Sequence, residues 1–130
     1  MEVQTKLLDA TVSLLSHVDS VSIGVLPASG GMVLHPAGGG TEDRYFSGSS
    51  RRRMTLQFLC KDSQQLAFDR LCRVCRFLDS LRSFPDMENV QMLLYESETE
   101  PQFTGLETPN GNTVYSVIVT LYYYLEGKTS

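Results

Sequence analysis

The sequence predicts an α+β domain in which a mostly antiparallel β-sheet packs against two α-helices and ends in a long C-terminal β-hairpin. Two segments, one near the N-terminus and one in the middle of the chain, carry apolar residues at the three- and four-residue spacing of a helix. Other segments alternate apolar and polar residues with the two-residue period of a strand. Because the order is helix, short strands, strand, long helix and strands, the helices are expected to cover the sheet.

The composition is that of a single globular domain spanning residues 1–130. Apolar residues make up 42% of the chain and charged residues 20%, unlike a disordered segment. The net charge of −4 argues against a dedicated nucleic-acid-binding protein. No apolar run approaches the roughly 20 residues of a membrane span, and the N-terminus lacks the features of a signal peptide. The odd number of cysteines, three, excludes a complete disulfide framework and favours a reducing compartment.

The N-terminal third is expected to contain one helix and two short strands. The apolar stripe of the helix consists of Val3, Leu7, Ala10, Leu14 and Val18, and is widened by Leu8, Thr11 and Leu15. From residue 21 the period changes to two, and residues 32–36 are interpreted as a second strand that closes a hairpin. Residues 36–50 are rich in glycine and serine, and predict a long loop of a kind that is usually functional or mobile.

A strand and a long helix follow this loop. Alternation over residues 51–60 places Met54, Leu56, Phe58 and Cys60 on one face and Arg53, Thr55, Gln57 and Leu59 on the other. The helix is predicted from about residue 63 to residue 83, with Asp62 or Ser63 as its N-cap and Pro85 ending it. Its apolar stripe contains Gln64, Ala67, Phe68, Leu71, Val74, Cys75 and Leu78, with Leu81 just beyond.

The remaining chain reads as three strands. The first covers "NVQMLLYES", with Val90, Met92 and Leu94 on one face. The other two form the C-terminal hairpin, whose turn is predicted at Asn110-Gly111 because a type I′ turn needs positive φ at both central residues. The last strand is apolar on both faces, so it is expected inside the sheet or against a partner on its outer side.

Cys72 and Cys75 form a C-x-x-C pair within the long helix. Redox pairs of this spacing usually lie at a helix N-terminus, where the thiol pKa is lowered, whereas these two lie in the middle of the helix. Zinc would need two further ligands. Packing is therefore the favoured interpretation, with Cys75 central to the apolar stripe. A small thiol-redox or metal-binding protein stays open as an alternative.

The opposite face of this helix carries a ridge of Leu66, Arg70, Arg73 and Phe77. An apolar pair combined with two arginines is typical of an interface that has an apolar centre and a charged rim. A competing interpretation places Leu66 and Phe77 under a loop. Arg52, in the arginine run at 51–53, is interpreted as part of a solvated edge or as a salt-bridge donor to a partner.

No motif predicts catalysis, a cofactor or a metal. The glycines at 38–40 lack the Lys-Ser/Thr ending of a phosphate loop and do not open a helix. Nothing resembles a Ser-His-Asp arrangement or a paired-carboxylate site. The sequence therefore predicts a protein that acts through its surfaces and is not an enzyme.

The chain resembles the minor-capsid or tail-terminator proteins of long-tailed bacteriophages and prophages. The similarity begins where a glycine-rich loop leads to Tyr45, Phe46 and Gly48. It continues through the strand and helix at Asp62, Gln64, Gln65, Ala67, Phe68, Leu71, Leu78, Asp79 and Leu81, and through the closing hairpin at Phe103, Gly105, Tyr115 and Tyr122. It covers nearly the whole chain, but the motifs are structural ones. The "CRVC" stretch and the arginine run depart from the family pattern.

This resemblance implies a structural virion protein at the tail–neck junction, assembled in the host cytoplasm. Such proteins form a homohexameric ring on the head-proximal end of the tail tube, end tail polymerisation and present a surface for head–tail joining. The implied partners are copies of the chain itself, the major tail tube protein and the head–tail connector or neck proteins. DNA passes through the lumen without specific binding, and no membrane is involved. A head-side neck or completion protein is the alternative.

Within this picture, the oligomer-interface candidates are Leu66, Arg70, Arg73, Phe77 and Arg52, or the outer face of the last strand. A ring contact is heterologous, so one patch meets a different patch on the next copy. The candidates for contact with the tube or the neck are Arg44, Tyr45, Phe46 and Asn110, in the loop at 36–50 and the turn of the hairpin.

Overall fold

The computed structural model describes residues 2–27, 29–107 and 111–127, with Leu106 and Glu107 described for their backbone. Helix α1 spans Val3–Leu14 and is extended by a 3₁₀ turn, Leu15–His17; helix α2 spans Gln64–Ser80. The strands are β1 (Val21–Ile23), β2 (Gly31–Arg44), β3 (Ser50–Ser63), β4 (Val90–Ser97), β5 (Gln102–Glu107) and β6 (Asn112–Leu125). The predicted class is confirmed, because the two helices accompany a mostly antiparallel sheet of six strands.

The sheet has the strand order β1-β2-β3-β6-β4, and β5 also pairs with β6. Strand β6 is central, since β3 lies along one side of it while β4 and β5 share the other. Of the two alternatives predicted for the last strand, the structure shows the position inside the sheet. The C-terminal hairpin is also confirmed, as β5 and β6 are antiparallel. Asn110, in its expected turn, lies outside the described residues.

All strand pairs are antiparallel except β1 with β2. The predicted hairpin between these two strands is wrong, because Val21 pairs with Met32 in a parallel register. For two consecutive strands to be parallel, the connection must carry the chain from the end of β1 back to the level at which β1 begins. The connection between β1 and β2 contains glycines that permit this path. Gly30 has a φ of 97°, and a Cβ there would lie 2.9 Å from the Lys61 carbonyl oxygen. Only glycine combines this conformation with such a close approach.

The predicted long loop at 36–50 is also wrong in extent. Strand β2 continues to Arg44 and pairs with the first half of β3, which leaves a turn of five residues, 45–49. The glycines that suggested a loop are accommodated in the strand beside two irregularities in register. At Gly39 a Cβ would lie 2.5 Å from the Arg53 carbonyl oxygen, so this strand position requires glycine.

One apolar core lies between the helices and a single face of the sheet. Strand β3 contributes Met54, Leu56, Phe58 and Cys60, and β6 contributes Val117, Val119, Leu121 and Tyr123; the helices contribute Leu7, Leu8, Leu15, Ala67, Leu71, Val74, Cys75 and Leu78. The alternation predicted for β3 and β6 is therefore confirmed. Because α1 and α2 share this one cluster, the opposite face of the sheet is left without a helix among the described elements.

Helix α1 is rotated relative to the predicted stripe. Its buried residues are Leu7, Leu8, Thr11 and Leu15, while Ala10 and Leu14 are only partly buried. The polar Thr11 is tolerated inside because its hydroxyl donates to the Leu7 carbonyl oxygen and shares a 2.7 Å hydrogen bond with the Tyr95 hydroxyl. A buried hydroxyl pair that satisfies itself removes the cost of burying each group alone.

Strand β4 contains a register shift between Met92 and Leu94. The shift turns Tyr95 inward, where it is 3% exposed, and leaves Leu94 at 37% exposure on the outer face. The prediction that Leu94 shares the core face is therefore wrong. Helix α2 ends at Ser80, three residues before its predicted end, and no side chain bonds its N-terminus; instead the Asp62 carboxylate accepts from the Ser63 N–H.

Candidate assembly surfaces

The open face of the sheet combines apolar, aromatic and charged side chains. Its members alternate with the core residues of β3, β6 and β4: Arg51, Arg53, Thr55, Gln57 and Leu59; Ser116, Ile118, Thr120, Tyr122 and Tyr124; Gln91, Leu94 and Glu96. The Arg51 guanidinium lies 5.5 Å from the centre of the Tyr122 ring, in a cation–π contact. The arginines of β3 have acidic neighbours on β2, because Arg53 pairs with Glu42 at 2.7 Å and Asp43 lies opposite Arg51.

Two strand edges of similar length flank this face. Strand β1 pairs with β2 only at Met32–Leu34, so from Pro36 to Arg44 the described structure places no strand on the other side of β2. Strand β4 ends the sheet on the opposite side. The backbone groups along such edges can pair with a further strand.

The two edges lie at the same level of the sheet. Across the sheet, Pro36 lies in one row of paired residues with Leu56, Val119 and Ser97. Arg44 lies in another row with Ser50, Leu125 and Val90. Three antiparallel pairings separate β2 from β4, so the two edges run in opposite directions. If copies stood side by side in one orientation, β4 of one would meet β2 of the next as an antiparallel neighbour.

The turn between β2 and β3 gathers three of the predicted contact residues, Arg44, Tyr45 and Phe46. The turn is held by hydrogen bonds from the Tyr45 N–H to the Ser49 carbonyl and from the Gly48 N–H to the Tyr45 carbonyl. Tyr45 contacts Tyr124 with ring centres 6.2 Å apart, whereas Phe46 is fully exposed. We call Arg44, Tyr45 and Phe46 the hairpin tip.

The predicted ridge on α2 is not a continuous exposed surface. Leu66 and Arg73 are exposed, but Phe77 is half-buried and packs against the core. The Arg70 guanidinium donates two 2.8 Å hydrogen bonds to the Asp19 carboxylate and one of 3.2 Å to Asp62. This pairing lowers the pKa of Asp19 and raises that of Arg70. Arg70 thus ties α2 to the segment after α1, and the expectation of an exposed ridge is wrong for Arg70 and Phe77.

Arg52 lies on the helix-covered side of the sheet, away from its neighbours Arg51 and Arg53. It is half-buried and donates from Nε to the Ser50 hydroxyl at 2.9 Å. It lines a cavity of about 290 Å³ together with Gln4, Tyr123 and the glycine segment of β2. The two-residue period of the strand predicts that Arg52 points away from Arg51 and Arg53. Which of the two faces the helices cover became clear only from the packing of the core.

An aromatic cleft that sequence reasoning missed lies between the start of α2 and β5. Phe68 and Phe103 each contact Tyr115, with ring centres 6.0 and 5.8 Å apart, and are 37% and 53% exposed. The prediction that Phe68 lies in the core stripe is wrong, because Phe68 packs against Tyr115 at the end of the sheet and stays partly open to solvent. Tyr115 pairs with Cys60 and Leu125 with Ser50, so the cleft and the hairpin tip lie near opposite ends of the sheet.

The thiols are placed as packing residues. Cys75 is buried in the core, as predicted, and burial raises its pKa to about 11. Cys72 is half-buried and its pKa is also raised, first by burial. All three cysteines are free thiols. A raised pKa disfavours the thiolate that redox exchange and metal binding require.

No protein-family model matches the chain, and no curated protein does. Across residues 2–27, 29–107 and 111–127, the structure has no helix with the length and apolarity to cross a bilayer. In the same ranges, no group of three His, Cys, Asp or Glu side chains suits a metal ion.

Proposed function

We propose that this chain is a structural virion protein that caps the head-proximal end of a phage tail tube, ends tube polymerisation and provides the surface for head–tail joining. The proposal begins from the resemblance of residues 43–81 and 101–124 to tail-terminator proteins. The observation that carries it further is the pair of strand edges at one level of the sheet, which suits side-by-side assembly of identical copies.

The edges support head-to-tail assembly of identical copies for a geometric reason. A contact between β2 of one copy and β4 of the next is heterologous, and a heterologous contact repeats until it closes into a ring or continues as a helix. The pairing would keep the sheet antiparallel and would satisfy backbone groups along Pro36–Arg44 and in the middle of β4, whose end residues Val90 and Ser97 already donate their N–H groups to Met87 and Asp79.

The two ends of the sheet support contacts along the ring axis. The hairpin tip lies at one end and the aromatic cleft at the other, separated by the ten residues from Tyr115 to Leu125 on β6. At a strand rise of about 3.3 Å per residue, this separation is roughly 33 Å. A cap between a tube and a neck needs a different surface for each neighbour, and these two surfaces differ in shape and chemistry.

The decisive experiment adds the purified protein to polymerising tail tube protein and measures tube length by electron microscopy. A cap is expected to shorten the tubes as its concentration rises and to appear at one end only. Tube lengths that do not change, together with binding to filled heads, would instead identify a head-side neck or completion protein. Binding to neither particle would overturn both assignments.

A further inference from the structure

A cavity of about 290 Å³ lies between the first turn of α1 and the helix-covered face of the sheet. Three of its lining side chains form one row across the sheet, because Thr41 lies opposite Arg52 and Arg52 lies opposite Tyr123. Side chains that are directly opposite on one face have Cβ atoms about 5 Å apart. Gln4 lines the same space from α1. The strand register and the helix thus gather four hydrogen-bonding side chains around one space, which we call the α1 cavity.

Tyr123 offers an unpartnered hydroxyl to this cavity. The residue is only 3% exposed, and among the described residues no side chain or backbone group makes a hydrogen bond with its hydroxyl. Within the same part of the chain, the unpartnered side-chain atoms that are closed off from solvent are Arg51 Nε and Thr113 Oγ1, and the Tyr123 hydroxyl is not one of them. Its small remaining exposure therefore faces the cavity that the residue lines. Buried tyrosine hydroxyls usually have a hydrogen-bond partner, so this one is available to a ligand.

Arg52 brings a positive charge to the same space. Its Nε donates to the Ser50 hydroxyl at 2.9 Å, which holds the guanidinium in place. Its two terminal nitrogens have no hydrogen-bond partner among the described residues. Burial raises the pKa of Tyr123, and the nearby charge of Arg52 opposes that rise. The anchored guanidinium and the unpartnered hydroxyl therefore lie close enough to bind one ligand together.

The charge balance of the α1 cavity selects a ligand with one negative charge. No acidic side chain of the described chain lines it. Arg53, the other basic residue at its wall, is paired with Glu42 at 2.7 Å, so the charge of Arg52 is the one left uncompensated. A guanidinium only donates hydrogen bonds, and its nitrogens match the two oxygens of a carboxylate. A carboxylate carries one charge, whereas a phosphate group carries about −1.5 to −2 at neutral pH.

The backbone around the cavity leaves room for such a ligand. Gly38, Gly39 and Gly40 line it without side chains, and a Cβ at Gly39 would lie 2.5 Å from the Arg53 carbonyl oxygen. The first turn of α1, to which Gln4 belongs, carries N–H groups without partners in the helix and favours an anion. The volume is at the lower end for ligand sites, so it suits one small group.

We propose that the α1 cavity binds a carboxylate group, which the Arg52 guanidinium and the Tyr123 hydroxyl hold, with Gln4 and Thr41 beside it. The carboxylate belongs to a small organic acid or to an acidic side chain of a neighbouring protein, and the chemistry recognised is the same for both sources. This inference goes beyond the proposed function and does not depend on it, because it rests on the cavity alone.

The test titrates the full chain, labelled with ¹⁵N, with propionate at constant ionic strength and pH 7. Propionate is expected to shift the Nε–H resonance of Arg52 and the backbone amides of Gly39 and Gly40, and the shifts should saturate at millimolar concentration. Propionamide is the matched control, because it has the same shape and no charge. It should bind at least about tenfold more weakly, since hydrogen bonds between charged groups are the stronger ones. Equal shifts from both probes, or propionate shifts elsewhere on the chain, would overturn the proposal.

Three variants separate the cavity from general attraction to a basic segment. Arg52→Gln should weaken propionate binding at least about tenfold. Arg51→Gln, which removes the same charge from the open face, should leave it within about twofold. Tyr123→Phe removes only the hydroxyl and should weaken binding about two- to tenfold. It should not lower the thermal unfolding midpoint, because that hydroxyl has no partner among the described residues. Propionate binding of native strength in Arg52→Gln or in Tyr123→Phe would contradict the assignment.

Two further probes identify the source of the carboxylate and the class of anion. The peptide acetyl-Gly-Glu-Gly-amide carries the same group on a protein-like backbone. Binding tighter than that of propionate would support an acidic side chain of a neighbouring protein, and weaker binding would support a small organic acid. Inorganic phosphate that binds more tightly than both would overturn the assignment to a carboxylate. Tube capping by a chain that binds no propionate would overturn this inference alone, and propionate binding by a chain that caps no tubes would count against the proposed function alone.

Discussion

Arg70 joins helix α2 to two other parts of the chain. Its guanidinium pairs with Asp19, beyond the end of α1, and with Asp62, at the end of β3. The sequence placed Arg70 on a helix face opposite the core, which is correct for the helix alone. What made it an internal residue was the position of Asp19, 51 residues away in the chain. Local periodicity does not predict a contact between residues so far apart in the sequence.

Removing this ion pair should destabilise the domain. Arg70→Gln leaves two half-buried carboxylates without their partner and should lower the free energy of unfolding by about 1.5–3 kcal/mol, the range for hydrogen bonds to charged groups. Arg73→Gln, at an exposed position on the same helix, is the control and should change it by less than about 0.5 kcal/mol. Urea unfolding at pH 7 measures both values. Equal stability of the two variants would show that the pair contributes nothing.

The same pair predicts a pH dependence. The pKa of Asp19 is lowered in the folded state, chiefly by its hydrogen bond from Arg70. Its contribution to stability is therefore fully present above the unfolded pKa of about 4, and is lost as pH falls through the lowered folded value. Urea unfolding between pH 6 and pH 2 should show Asp19→Asn losing less stability than the native chain. Parallel curves would contradict the assignment.

The thiols should be unreactive in the native protein. Burial raises the pKa of Cys60 and of Cys75 to about 11 and also raises that of Cys72. Iodoacetamide at pH 7.5, followed by mass spectrometry, should label Cys72 more slowly than a free cysteine peptide, and the other two only after unfolding in urea. Rapid labelling of Cys72 in the native chain would revive the thiol-redox alternative.

At the scale of elements, strand β2 shows how glycine misleads a sequence-based assignment. Three consecutive glycines at 38–40 are typical of a loop, yet the segment pairs with β3. Gly39 is needed because its Cα approaches the Arg53 carbonyl, while a Cβ at Gly40 would meet only the end of the Arg53 side chain at 3.7 Å. A side chain larger than hydrogen is therefore tolerated at Gly40 but not at the neighbouring Gly39.

This difference predicts opposite outcomes for two similar substitutions. Gly39→Ala should destabilise the domain by about 1–3 kcal/mol, because backbone atoms must move. Gly40→Ala should change stability by less than about 0.5 kcal/mol. Thermal unfolding followed by circular dichroism compares the two variants. If Gly39→Ala were as stable as Gly40→Ala, the close approach of β2 to β3 would be wrong.

Strand β4 shows the effect of one extra residue in a strand. Without the register shift, the period of two would place Leu94 in the core and Tyr95 outside. With it, Tyr95→Ala should cost about 3–5 kcal/mol of stability, and Leu94→Ala less than about 1 kcal/mol. Urea unfolding of both variants checks the order. A larger loss of stability for Leu94→Ala than for Tyr95→Ala would contradict the register shift and support simple alternation along β4.

At the scale of the whole molecule, the sheet has one covered face, one open face and two edges at the same level. Lysine on an edge strand blocks pairing with another chain. Leu94→Lys with Glu96→Lys, both exposed on β4, should therefore prevent self-association without disturbing the core. Val25→Lys, exposed in the connection after β1, is the control and should assemble normally.

Light scattering at tens of micromolar, alone and with tail tubes added, measures this outcome. The native chain and the control should give assemblies of the same mass, and the β4 variant should give monomers. Assembly of the β4 variant, or native chain that stays monomeric in both conditions, would count against edge-to-edge contact.

The sequence by itself determined the α+β class, both helices, the alternation of side chains along β3 and β6 and the burial of Cys75. These features follow from local periodicity, which records which side of each element avoids water. Tertiary structure alone decided the parallel β1–β2 pair, the strand at 36–44, the inward turn of Tyr95, the pairing of Arg70 and the aromatic cleft. Each of these features depends on contacts between residues that are far apart in the chain. The free energy of such a contact depends on both segments together, so the hydrophobic pattern of one segment does not predict it.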